Sequence, residues 1–190
     1  MLRDPAFDRM FADAVGVLRP YLGDIVCIGG CANALYRHHE LASSPVPEYL
    51  GTKDSDWALP ARLDQRTEEP LAALMAKAGF VEEMHGTANE PVVKYTPKDG
   101  TVAADVEFLC PLSGVPGGRR RAVPAVEVQK GLMAQPLRYL EILARNPWQV
   151  DLGRAPEFVR LKGTMVRIPN PAAYVLQKIL IRGQGRKAES

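Results

Sequence analysis

Net charge is almost absent from this chain. Its 24 lysines and arginines stand against 22 aspartates and glutamates, leaving +2, so it lacks the strongly basic surface that gives general nucleic-acid binding. Long apolar runs are missing too: no stretch could span a bilayer, and Met1-Leu2-Arg3-Asp4-Pro5 puts an acid and a proline where a signal peptide needs an unbroken apolar segment. The expectation is a cytoplasmic protein with no membrane partner. Cys27, Cys31 and Cys110 are an odd number at spacings that fit neither a disulfide framework nor a zinc motif, and they read as small buried hydrophobes near strand ends. Histidine is scarce. His38-His39-Glu40 places adjacent rings on different sides of a helix, and His85 has no evident partner, so neither indicates a metal site. There is no serine or cysteine nucleophile motif, no P-loop and no internal repeat. What the chain does have is a hydrophobic share of 46%, enough with 190 residues to build one ordinary domain around its own core.

Asp4 as N-cap and Pro5 at the first helical position open an amphipathic helix with Phe7, Met10, Phe11, Ala14, Val15 and Leu18 on one side. The run Ile25-Val26-Cys27-Ile28 reads as a strand that ends in Gly29-Gly30 and turns into a helix through Arg37. Residues 40–51, with Ser43-Ser44-Pro45-Val46-Pro47, read as a loop before a strand at Asp54. Thr67 to Ala78 reads as a helix stopped by Gly79. Strands are expected at Phe80 to Met84, Val92 to Thr96 and Val102 to Cys110, the last two joined by a hairpin turn at Asp99-Gly100. Beyond Pro111 come a basic loop ending Arg119-Arg120-Arg121, a strand at Ala125 to Val128 and a helix from Pro136 to Ala144. A hairpin of Phe158 to Lys162 with Thr164 to Ile168 follows, turning at Gly163, and then a helix capped by Asn170-Pro171. On that helix Val175, Leu176, Ile179 and Leu180 form the side expected to dock, leaving Tyr174, Lys178 and Arg182 on another face. Gly183 to Lys187 reads as a frayed tail. The order implies an α/β (α+β) fold with a mixed sheet flanked by helices and a C-terminal helix, divided as residues 1–168 for the core and 169–190 for the last helix and tail.

The acids carry the chemistry. Side chains two apart on a strand share a face, so Asp54 and Asp56 project together from Thr52-Lys53-Asp54-Ser55-Asp56, while Trp57 points away into the core. Asp105 and Glu107 repeat the arrangement in Ala104-Asp105-Val106-Glu107. If the two strands are neighbours, the carboxylates converge, and like charges about 4 Å apart repel by roughly 4 kcal/mol at an effective dielectric of 20. A divalent cation relieves that repulsion, and hard oxygen donors select Mg²⁺ or Mn²⁺ over zinc. Upstream, Gly29-Gly30 at a helix start offers bare backbone to a phosphate.

The sequence of features Ile28-Gly29-Gly30, a helix, Thr52-Lys53-Asp54-Ser55-Asp56 and a later Ala104-Asp105-Val106 resembles the nucleotidyltransferase superfamily built on the DNA polymerase β type palm, in its minimal and abortive-infection toxin branches. The resemblance implies a nucleotidyltransferase palm in which Gly29 and Gly30 cradle nucleotide phosphates. It implies that Asp54 and Asp56 hold two metals and that Asp105 binds the second metal and activates the acceptor. Glu107 stands in reserve as third ligand. Lys178, and after it Arg182, would be the cation for the triphosphate, since a lysine on the corresponding helix of those relatives faces the active site. Ser55 departs from the family pattern, where an apolar residue is commoner. The implied activity is transfer of a nucleoside monophosphate from a nucleoside triphosphate to a hydroxyl on a protein, an RNA or a small molecule, with an antitoxin-like protein as a possible partner. The alternative is an inactive palm that binds a nucleotide or a partner protein.

Overall fold

The computed structural model describes residues 5–42, 52–87, 90–100, 104–112 and 124–185. The expected Asp4 cap, the Ser43 to Pro47 loop, the Val102-Ala103 start of the acidic strand, the basic loop at 113–121 and the tail at 186–187 lie outside the described residues. The fold is mixed α/β, as the element order implied. Its centre is a seven-stranded sheet containing β1 (Val26–Ile28), β2 (Asp54–Ala58), β5 (Asp105–Pro111), β4 (Glu90–Pro97) and β3 (Phe80–Thr87), adjacent in that order. Beyond them β7 (Leu132–Leu137) pairs with the far end of β5, and β6 (Val126–Gln129) pairs with β7.

One register row decides what the sheet presents. Ile28 lies opposite Asp56, Asp56 opposite Glu107, Glu107 opposite Lys94, and Lys94 opposite Glu83. Paired residues in a sheet share a face, so the acids of β2 and β5 come out together. Because β2 and β5 run parallel with Asp54 opposite Asp105, both pairs stand at the heads of their strands.

The reverse face is core. Ser55, Trp57, Val106 and Phe108 are all buried there, and Trp57 meets the amphipathic helix α1 (Pro5–Leu18) through a stacked contact with Phe11 at 6.1 Å between ring centroids. Trp57 Nε1 donates to Ser55 Oγ at 2.8 Å. That bond accounts for the hydroxyl at a position where an apolar side chain is expected: without it, the buried indole N–H would lack a partner.

The acidic face is itself half covered. Past the acids it turns apolar, where Val26, Ile28 and Ala58 pack with Leu140 and Leu143 of the short helix α4 (Leu140–Leu143). Against α4 lies the last helix, α5 (Pro171–Gly185), capped where the Ala173 N–H donates to Asn170 Oδ1 at 2.9 Å. The helix α2 (Gly29–Leu35) fills the end of this face next to β2, and α3 (Leu71–Lys77) precedes the β3–β4 hairpin.

Several expectations are corrected. Residues 132–137 form β7, so the expected helix from Pro136 shrinks to α4; Pro136 pairs with β5 but lies past the residues that β6 pairs, so its strand has a neighbour there on one side only. Residues 156–161 form 3-10 turns rather than a strand, and the partner of β9 (Met165–Ile168) is β8 (Trp148–Asp151). On α5 the docked residues are Ala173 and Gln177, with Tyr174 half-buried, whereas Val175, Leu176 and Ile179 are exposed. Gly183 to Gly185 continue the helix instead of fraying from it. His85 does have a partner, Glu83, at 2.9 Å. All three cysteines are free and buried, in line with their reading as small hydrophobes.

Candidate functional site

The cleft forms where β1 ends and α2 begins, beside the head of β2. Gly29 has φ +64°, and a Cβ built on it would lie 1.9 Å from Asp56 Oδ2. The Asp56 carboxylate therefore sits directly over the backbone of that turn, in space only glycine leaves open. Gly30 is confined in the same way, since its Cβ would come within 2.5 Å of Thr52 Cβ. Thr52 shapes the lead into β2 by accepting the Asp54 N–H on its Oγ1 at 3.3 Å, and the Cys31 thiol donates to the Asp54 carbonyl at 3.5 Å. The turn, the first helical coil and the acidic strand thus lock together through backbone and short side chains.

Asp54, Asp56, Asp105 and Glu107 are each half-buried on the same face. Burial, reinforced by the charges of Glu107, Asp54 and Asp105, pushes the Asp56 carboxyl up to about 7, with Lys178 pulling the other way. Lys178 reaches Asp56 electrostatically from α5, with its ammonium 5.3 Å from the Tyr174 ring centroid. Burial and the Asp56 charge raise the Tyr174 phenol in turn. Arg182, one turn further along α5, is exposed, and among the described residues no hydrogen bond or ion pair joins it to the acids.

Two features go beyond what the sequence suggested. The first is Lys94, whose Nζ lies 3.0 Å from Asp105 Oδ2 and 2.6 Å from Glu107 Oε1. Burial alone would lower the Lys94 ammonium, but the bonds to Glu107 and Asp105 outweigh it and raise it. The turn at Asp99-Gly100 carried the signal, because it folds β4 back on β5 and brings Lys94 onto the face of Asp105 and Glu107. The second is an aromatic bracket that sets α5. Tyr36 meets Trp148 and Tyr174 edge-on, each at 6.2 Å between centroids, and its hydroxyl donates to the Pro169 carbonyl at 2.9 Å. His39 stacks on Trp148 at 4.1 Å, so it serves packing.

The donor set suits a hard divalent cation. All candidate ligands are carboxylate oxygens, the negative charge around Asp56 is under-compensated, and Asp105 Oδ1 is buried with no hydrogen-bond partner among the described residues. No group of three or more histidines, cysteines or acids among the described residues is preassembled in ligand geometry. Lys94 holds one oxygen each of Asp105 and Glu107. Two clefts of about 740 and 850 Å³ along α1 and α3 contain none of these acids.

No helix among the described residues is long and apolar enough to cross a membrane. The family model for nucleotidyltransferases matches residues 11–190. No curated protein and no solved structure matches.

Proposed function

The chain belongs to the nucleotidyltransferase family, and from that premise we propose that it carries out divalent-metal-dependent transfer of a nucleoside monophosphate from a nucleoside triphosphate to a hydroxyl acceptor. The observation that carries this reading is the register of β2 on β5, which sets Asp54 and Asp56 beside Asp105 at one end of the sheet, next to the Gly29-Gly30 turn. Asp54, Asp56 and Asp105 would hold the cation, Mg²⁺ or Mn²⁺. Bound there, it would supply charge neutralisation to the phosphates and lower the cost of deprotonating the acceptor.

The chain's own residues do the positioning, which is most of what phosphoryl chemistry asks of a protein. The space that Gly29 and Gly30 leave open is taken by Asp56 and Thr52, so a phosphate would be held through the backbone N–H groups of that turn, beside Asp56. Lys178 and, less directly, Arg182 offer positive charge to the triphosphate from α5. In the transfer the acceptor oxygen bonds to the α-phosphorus, the bond from that phosphorus to the bridging oxygen breaks, and pyrophosphate departs. The acceptor's proton would pass to a carboxylate of the cluster, and Asp105 is the residue to which the family reading gives that role. Protein, RNA and small-molecule hydroxyls all satisfy this chemistry.

Incubating the protein with each α-labelled nucleoside triphosphate, Mg²⁺ and a cell extract tests the reading. Label should appear in an acceptor and vanish with EDTA. Nucleotide binding without any incorporation would favour the inactive binding module. Lys178→Ala should weaken nucleotide binding by roughly tenfold to a hundredfold, the scale of one charged hydrogen bond at 1.5–3 kcal/mol. Because the side chain is exposed, the melting temperature should hardly change. Unchanged nucleotide affinity in a binding titration would remove Lys178 from the site.

A further inference from the structure

Two of the four carboxylates at the heads of β2 and β5 are already held by a cation belonging to the chain. Lys94 stands directly across from Glu107 and bonds Glu107 Oε1 at 2.6 Å and Asp105 Oδ2 at 3.0 Å, from the side of the sheet opposite β2. The Lys94, Asp105 and Glu107 side chains are only 22%, 15% and 17% exposed, so salt and solvent screen this triad less than a surface pair. Asp105 is thereby divided: Oδ2 belongs to Lys94, while Oδ1 is buried without a hydrogen-bond partner among the described residues.

Charge sets how many further cations the cluster can take. If an ion among them draws off every proton, the four carboxylates carry four negative charges, which Lys94, one divalent ion and the nearby Lys178 together match. A second divalent ion would have to displace the Lys94 ammonium from Asp105 and Glu107 or stand beside it at like charge.

The geometry points to Lys94 as an internal cation that fills one of two cation seats in the acidic cluster, so that the resting protein binds a single divalent ion against Asp54, Asp56 and the free oxygen of Asp105. This rests on the metal-dependent reading above. It makes Lys94 a positioning residue: it orients Asp105 and sets the ion count without touching the nucleotide.

The test counts ions on the full chain in the absence of nucleotide, by titrating Mn²⁺ and following the paramagnetic resonance of the free ion. The native protein should bind one ion. Lys94→Met should bind two, the first about tenfold more tightly because a like charge has left the cluster. Lys94→Gln, which keeps a neutral donor for Glu107, should also bind two and covers the case in which the methionine variant does not fold. Lys94→Arg should return the count to one, a rescue that a role in strand packing alone would not produce. Two ions on the native protein, or one on both neutral variants, overturns the proposal. No ion on the native protein overturns it together with the metal-dependent reading. The expected counts without label transfer from any nucleoside triphosphate would uphold Lys94 and retire the transfer reading alone.

Discussion

The Asp56→Asn protein is expected to be more stable than the native one when no divalent ion is present, and inactive in nucleotidyl transfer. Its carboxyl ionises near 3.8 when unperturbed and at about 7 in the folded protein, raised by burial and by Glu107, Asp54 and Asp105. The folded state thus holds a proton that the unfolded chain releases across that window. The contribution of this group to stability is most favourable below about pH 4 and is lost as pH rises to about 7. Since each tenfold change in proton affinity corresponds to about 1.4 kcal/mol, the loss amounts to a few kcal/mol. Asparagine carries no charge to bury. Its advantage should be small near pH 4, should grow with pH and should level off above 7, as read by chemical denaturation in EDTA. Mg²⁺ at a hundredfold its dissociation constant should add about 2.7 kcal/mol to the native protein. That gain should disappear in the variant, and transfer should fall by on the order of a thousandfold, the scale on which one preorganised charge-stabilising group acts. A variant less stable than the native protein at pH 8 without ions would show that Asp56 is not under the strain its neighbours imply.

Gly29→Ala should damage fold and chemistry together. A left-handed backbone costs an L-residue about 1–2 kcal/mol, and φ at Gly29 is +64°. In a domain of this size each kcal/mol lowers the melting temperature by about 2–4 °C. The added Cβ also cannot coexist with Asp56 Oδ2 at 1.9 Å, so the carboxylate must leave its place over the turn. Transfer should drop nearly as far as in Asp56→Asn. A double-mutant cycle separates the two causes: in an Asp56→Ala background the clash is gone, and Gly29→Ala should cost only its backbone share. Full additivity would mean that Gly29 and Asp56 act independently and that the close approach has no bearing on the site.

The convergence of the acids could be read from the chain because strand alternation is strict. Once Asp54 and Asp56, and Asp105 and Glu107, lie on strands, each pair must share a face, and pairing of the strands does the rest. Lys94 is absent from the sequence reading, although the same rule applied one strand further, through the Asp99-Gly100 turn, reaches it. The docking side of α5 was hidden for a different reason. An apolar stripe ordinarily marks the buried side, yet here the close approach of α5 to its surroundings favours Ala173, Gln177 and the ring of Tyr174, which meets Tyr36, itself held against Trp148, from distant segments. Such partners are set by tertiary packing and leave no local periodicity. The helix expected from Pro136 began too early, because Pro136 and Leu137 end β7 through pairing with Cys110 and Pro111 of β5, a partner far off in sequence that leaves no local signal.

The parallel pairing of β2 with β5 also bears on how the protein assembles. An antiparallel pair can close through a tight turn, but these two strands are joined by a crossover containing α3 and the β3–β4 hairpin. The chain must close that long loop before the pairing repays it. The four carboxylates are therefore far apart in the unfolded ensemble and meet only when the central strands join. Their mutual repulsion is a cost of the last steps, after the local helices and the β3–β4 hairpin can already exist. An ion seated among them would accordingly act as a latch on the finished sheet, slowing its opening more than it hastens its closing.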